Sequence, residues 1–201
     1  MSPTRQLTLA ALGALIVACS DSSGPAQQRL DVNFLRPALT APPVANPVVA
    51  FYAKKGQDVE AIMWYRKDAD RPDSTEFMRF RLQDNSLLAR PDGSAFAPGD
   101  SVLITITLAD PQRLIIDMQP SGLRFSPVKP AELKLSFEEA DEDLNEDGVV
   151  NEADGAIVGQ FAIWKRERPG DPWLKLSSLV EIGTYDVKAF INGFTGYAIA
   201  W

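Results

Sequence analysis

A chain of 201 residues, 45% hydrophobic and 23% charged, is long enough to bury one hydrophobic core without disulfide staples. Its formal net charge is −7 and it contains no histidine, which removes the commonest general base, the Ser-His and Cys-His nucleophile pairs and the commonest zinc ligand. The acidity is local: nine of the 27 acidic residues lie between Glu138 and Asp154 with no basic residue among them, and without these nine, 18 acids face 20 bases. No basic stripe remains to neutralise phosphates, so no nucleic-acid partner is expected. Lys165, Arg166 and Arg168 are expected to balance the acidic stretch that precedes them.

In chain order, Arg5 opens a polar start, and an apolar run over residues 7–18 has the length of a signal-peptide core, too short to span a bilayer. Residues 1–18 are expected to be removed on export. The run closes on Ile16-Val17-Ala18-Cys19, which resembles the lipobox of bacterial lipoproteins. The resemblance implies a thioether-linked diacylglycerol on Cys19 and cleavage on its N-terminal side. With more than one acyl chain, at about 0.8 kcal/mol per buried CH₂, such a protein is anchored to a membrane without spanning it. Ser20, rather than aspartate, follows the cysteine and by the same resemblance favours the outer membrane or cell surface. A lone cysteine allows no intrachain disulfide.

Residues 19–47 are polar, then rich in Pro and Ala, and read as a flexible, extended linker with a possible edge strand. The folded domain is expected over residues 48–201. Short apolar segments recur there at 48–53, 59–65, 75–82, 102–108, 114–118, 133–137, 157–165, 173–176, 185–191 and 197–201. Val102, Ile104, Ile106 and Leu108 recur at every second position, with Thr105 and Thr107 between them, and Leu133, Leu135 and Phe137 repeat the same period of half-buried strands. Pro91-Asp92-Gly93, Pro98-Gly99-Asp100, Asp110-Pro111 and Pro169-Gly170-Asp171 supply turn chemistry between runs. No stretch carries a helical period beyond about two turns. The pattern predicts an all-β fold, an antiparallel β-sandwich.

Met118-Gln119-Pro120-Ser121-Gly122-Leu123-Arg124-Phe125 with the strand that follows, and Gly193-Phe194-Thr195-Gly196-Tyr197-Ala198, resemble parts of the β-sandwich module of ankyrins and netrin receptors, which also occurs in bacterial surface lipoproteins. The resemblance covers roughly residues 84–201 and implies an interaction or structural module without catalysis.

Residues 143–154 place oxygen side chains at positions 1, 3, 5, 9 and 12 of a twelve-residue loop: Asp143, Asn145, Asp147, Asn151 and Asp154. Gly148 stands at position 6, where a sharp bend is needed, and Val150 at position 8. Calcium is a hard cation seeking six to eight oxygens, and this spacing turns alternate side chains inward. Val149 would add its carbonyl, Asn151 would act through a water, and Asp154 would close the shell. The loop resembles an EF-hand loop of the dockerin type, sharing Asp-x-Asn-x-Asp-Gly-x-Val and ending on aspartate. One bound calcium ion is expected, with a dissociation constant on the order of 10⁻⁴ to 10⁻⁶ M. A dockerin has two such loops, each leading into a helix. Here a single loop is followed by residues 157–165, which read as strand, so a cohesin partner is not expected. The loop is expected to join two strands of the sandwich.

Trp64, Trp164, Trp173 and Trp201 with Tyr65 are either core packing, the favoured reading, or a sugar platform. Glu138 and Glu139 are expected to be solvated or to support the metal loop rather than to act as a glycosidase pair. No nucleophile motif is present, and no catalytic residue is assigned. The sequence therefore points to a non-catalytic calcium-binding surface lipoprotein whose partner is an unknown protein or a cell-surface polysaccharide. A carbohydrate-binding module is the alternative, followed by a calcium-dependent hydrolase.

Overall fold

The period-two segments become strands, and every pairing between them is antiparallel. The computed structural model describes residues 32–67 and 75–201, which fall in one compact unit, Asp31–Trp201. Residues 1–18, expected as a signal segment, Cys19 and residues 20–31 of the expected linker lie outside the described residues. Among the described residues there are thirteen strands: β1 (Val48–Lys54), β2 (Val59–Trp64), β3 (Glu76–Leu82), β4 (Leu87–Ala89), β5 (Ser101–Asp110), β6 (Ile115–Gln119), β7 (Arg124–Phe125), β8 (Ala131–Ser136), β9 (Ala162–Arg166), β10 (Leu174–Lys175), β11 (Ser178–Glu181), β12 (Asp186–Ile191) and β13 (Gly196–Ala200). Among the described residues one α-helix, α1 (Glu152–Val158), lies between β8 and β9, and a short 3-10 turn, Ile182–Thr184, precedes β12.

A six-stranded sheet runs in the order β1-β5-β6-β13-β9-β10, a five-stranded sheet in the order β11-β12-β8-β3-β2, and β4 and β7 form a small ribbon. The all-β sandwich expected from the sequence is the fold observed. In β5 the alternation is read out directly, with Ile104, Ile106 and Leu108 buried. In β8 the buried set is Ala131, Leu133 and Leu135, while Glu132 and Lys134 face outward. Phe80 of β3 sits at the centre, with ring centroids 6.2 Å from Phe51 of β1, 6.2 Å from Phe125 of β7 and 5.5 Å from Phe194. This aromatic group joins both sheets and the ribbon.

The outer face of the five-stranded sheet carries a ladder of charges. Lys134 lies between Glu76 (2.8 Å) and Asp186 (3.1 Å). Arg79 bonds Glu76 and reaches Glu60, Arg81 bonds Glu60 at 2.9 Å, and Lys188 bonds Glu181 at 2.6 Å. Burial opposes the charge on Glu76, but hydrogen bonds from Arg79 and Lys134 outweigh it and hold the carboxyl below its ordinary value.

Two sequence expectations are corrected. Residues 32–47 are extended but do not behave as a free linker: Leu35 is 0% exposed, Phe34 bridges Ala200, Pro37 bridges Ala140 and Val44 bridges Tyr65. Proline-rich segments that dock and those that do not share a composition, and one apolar anchor, Leu35, decides between them. Residues 157–165 are not one strand, because Ile157 and Val158 end α1 and only Ala162–Arg166 forms β9.

Candidate metal centre

The acidic loop connects β8 of one sheet to α1 and then to β9 of the other, so it bridges the two layers. Leu144, Ile157 and Val158 pack on the core and pin it from both flanks. The helix follows from local chemistry. The Asn151 side chain accepts the N–H of Ala153 at 2.8 Å, and the Asp154 side chain accepts the N–H of Asn151 at 2.9 Å. Together these form a capping box. Glu152 and Asp154 add negative charge in the first turn. Two β-branched residues at the end of α1 imitate a strand in sequence; the cap ahead of them decides the outcome.

The loop backbone curls around its own side chains. Asp143 accepts the N–H groups of Asp147 (3.1 Å) and Gly148 (2.9 Å), one on each carboxylate oxygen. Asn145 Oδ1 accepts the same Asp147 N–H at 3.0 Å, and its amide donates to Asp147 Oδ2 at 3.0 Å. Asp147 Oδ1 accepts from Val149 N–H at 2.9 Å, and the Asn151 amide donates to the Val149 carbonyl at 3.0 Å. Two residues take left-handed backbone, Glu146 at φ 60° and Gly148 at φ 83°; glycine adopts it without cost from a Cβ.

Asp154 is the buried member, 3% exposed. Its Oδ1 accepts the N–H groups of Leu144 (2.9 Å) and Asn145 (3.2 Å), and its Oδ2 that of Asn151. These bonds, led by Asn151, hold its carboxyl below the usual aspartate value against the opposing effect of burial. All six residues expected as ligands therefore lie in one closed loop, tied to one another by hydrogen bonds.

The donor set fits a hard cation in kind, being all oxygen, and Asp143, Asn145, Asp147 and the Val149 carbonyl keep unused lone pairs. Asp154 has less to give, since Oδ1 already accepts two N–H groups. Among the described residues no three His, Cys, Asp or Glu side chains are drawn together as a ready metal cluster. Among the described residues no helix is long and apolar enough to cross a membrane.

No protein-family model, curated protein or solved structure matches.

The neighbours expected of the loop differ in part. Lys165 pairs with Glu167 at 2.6 Å, and the Arg166 guanidinium stacks on Trp173 at 4.8 Å. The cation that reaches the loop is Arg36, bonded to Glu146. Sequence reading missed it because 110 residues separate the two. Glu138 and Glu139 lie near Tyr65, whose phenol is raised above its ordinary range by burial first and by these two charges second. Among the aromatics, Trp164 is buried with its indole N–H on the Ala200 carbonyl (3.0 Å), Trp173 packs edge-on to Phe34 and Trp201 lies against Phe161. Tyr52 and Trp64, both exposed, sit on β1 and β2, in different sheets.

Proposed function

We propose that this chain is a non-catalytic, calcium-stabilised β-sandwich displayed on a bacterial membrane by a lipid at Cys19. The observation that carries the calcium reading is the closed loop of Asp143, Asn145, Asp147, Val149, Asn151 and Asp154, folded on itself by backbone N–H bonds and leading into a capped helix. Such a loop concentrates acidic charge, and among the described residues Arg36–Glu146 is the one ion pair that reaches residues 143–154. A divalent cation held by Asp143, Asn145, Asp147 and the Val149 carbonyl, with Asp154 at the rim of the shell, would offset the repulsion and lock the link between the two sheets. The exit helix α1 brings the loop nearer to the dockerin arrangement than its sequence suggested. A single loop still falls short of the pair that a cohesin engages.

The test is calorimetry on protein lacking residues 1–19, titrated with calcium and melted with calcium or EDTA. Heat of binding and a calcium-dependent rise in Tm, both lost in Asp143→Ala, are expected. Absence of both would remove the calcium reading. Metabolic labelling with a radioactive fatty acid tests the anchor, with Cys19→Ser expected to abolish the label.

A further inference from the structure

Four strands end the two sheets: β1, β10, β11 and β2. Exposed edges invite pairing with other chains, and folds blunt them with shortness, charge or cover. Here β10 has two residues, and β11 has four and ends at Glu181. The edge of β2 is covered at one end by the N-terminal segment: Ala45 N–H donates to the Trp64 carbonyl and Arg66 N–H to that of Pro43, both at 2.8 Å. The β1 edge is the least blunted, with a single charge, Lys54, at its end. It is seven residues long and uncharged as far as Ala53.

The direction of its backbone groups follows from the ladder. Leu108 N–H donates to the Pro47 carbonyl, and Lys55 N–H to that of Asp100, both at 2.8 Å. Antiparallel pairs alternate, so Val49, Phe51 and Ala53 bond to β5, while Val48, Ala50, Tyr52 and Lys54 turn their backbones to the open side. The Lys54 carbonyl accepts Gln57 N–H at 3.1 Å. Among the described residues no backbone bond reaches Val48, Ala50 or Tyr52 on that side. The same residues are apolar and uncovered, Val48 52% and Tyr52 70% exposed, with Leu103, opposite Tyr52, at 47%. Scattered exposed apolar side chains are ordinary; here they coincide with open backbone donors and acceptors.

We propose that β1 is an interface between two copies of this chain, paired antiparallel about a two-fold axis at Phe51, so that two six-stranded sheets join into one. The strand is self-complementary in that register. Ala50 faces the second copy's Tyr52, a small residue against a large one, and Val48 faces its Lys54, so the one charged residue of the strand never opposes its own kind. The acidic loop does not obstruct the approach. The strand it feeds, β9, lies four strand spacings from β1 in the sheet order, roughly 19 Å at about 4.8 Å each.

The full chain in mild detergent, measured by multi-angle light scattering with the detergent mass subtracted, tests this. A concentration-dependent dimer is expected. Ala50→Pro removes an N–H that β5 does not use, and Tyr52→Lys places charge on the pairing edge; each is expected to give a monomer, with far-UV circular dichroism and Tm close to the parent. A monomer at every concentration overturns the proposal. So does a dimer that survives both substitutions, which would place the interface elsewhere, or a monomer that instead captures a strand from a different protein.

Discussion

The guanidinium of Arg36 lies 2.5 Å from the carboxylate of Glu146, joining the N-terminal segment to the fourth position of the acidic loop. Both side chains are about half exposed or more, so the pair contributes less than about 1 kcal/mol to stability. Its larger effect is on the charge of the loop. Replacing Arg36 with Gln is expected to leave Tm nearly unchanged and to tighten calcium binding a few-fold, the scale of about 1 kcal/mol between near, exposed charges. Titration calorimetry at low and high salt checks this, with the difference shrinking at high salt.

The capping box makes Asn151 the residue on which α1 depends. Asn151→Ala is expected to cost about 1 kcal/mol, a fall in Tm of about 2–4 °C for a domain of this size. Gly148→Ala acts by another route. Nothing lies within 4 Å of the added methyl, so the cost, about 1–2 kcal/mol, comes from left-handed backbone alone. Thermal melts of both variants, with and without calcium, measure these costs.

Asp154 sets an acid limit on the loop. Its carboxyl in the folded chain is held below its ordinary value, so its contribution to stability is fully present above about pH 3.9, the unfolded value. That contribution is lost as pH falls through the lower, folded value. The protection of the Asn151 and Leu144 amides, both donated to Asp154, against exchange is expected to fall below about pH 4, the range of that unfolded value. In Asp154→Asn their exchange is expected to be fast already at neutral pH. Exchange in the variant that still tracks pH in the parent's way would assign the acid limit to another carboxylate.

Lys134 is flanked by Glu76 and Asp186 with its side chain only 16% exposed. Lys134→Met leaves two carboxylates close together, at a cost on the order of 2 kcal/mol, below the 3–5 kcal/mol typical of a fully buried pair. Adding Glu76→Gln is expected to recover part of the loss. A double-mutant cycle on chemical unfolding gives the coupling between them.

Phe80 is fully buried and touches Phe51, Phe125 and Phe194. Truncation to Ala is expected to cost about 3–5 kcal/mol, the largest effect of any single change named here. Denaturant unfolding, with the slope unchanged and the midpoint lowered, measures it.

The sandwich was legible because strands such as β5 and β8 alternate cleanly and turn residues separate them. The ligand order of the loop was legible because it is local. What escaped depends on contacts distant in sequence. Residues 178–181 become strand β11 because Val180 pairs with Val187, and their own composition gives no period. Residues 124–125 become strand β7 by pairing with β4. Residues 32–47 carry no pattern of their own, and their place is fixed by Leu35 inside the core. The helix escaped for a different reason, since a seven-residue element ending in Ile and Val is governed by its cap.

Asn33 and Trp201 exchange backbone hydrogen bonds in both directions, at 3.3 and 3.1 Å, and Leu35 N–H bonds the Ile199 carbonyl at 3.0 Å. Any pull transmitted through the chain upstream of Val32 is thus received first by these three bonds alongside β13. Under load the sandwich would yield by peeling from that corner, with Val32 and Phe34 drawn from the cluster of Ala162, Trp164 and Ala200 and then Leu35 from the main core, before the aromatic group around Phe80 bears any strain.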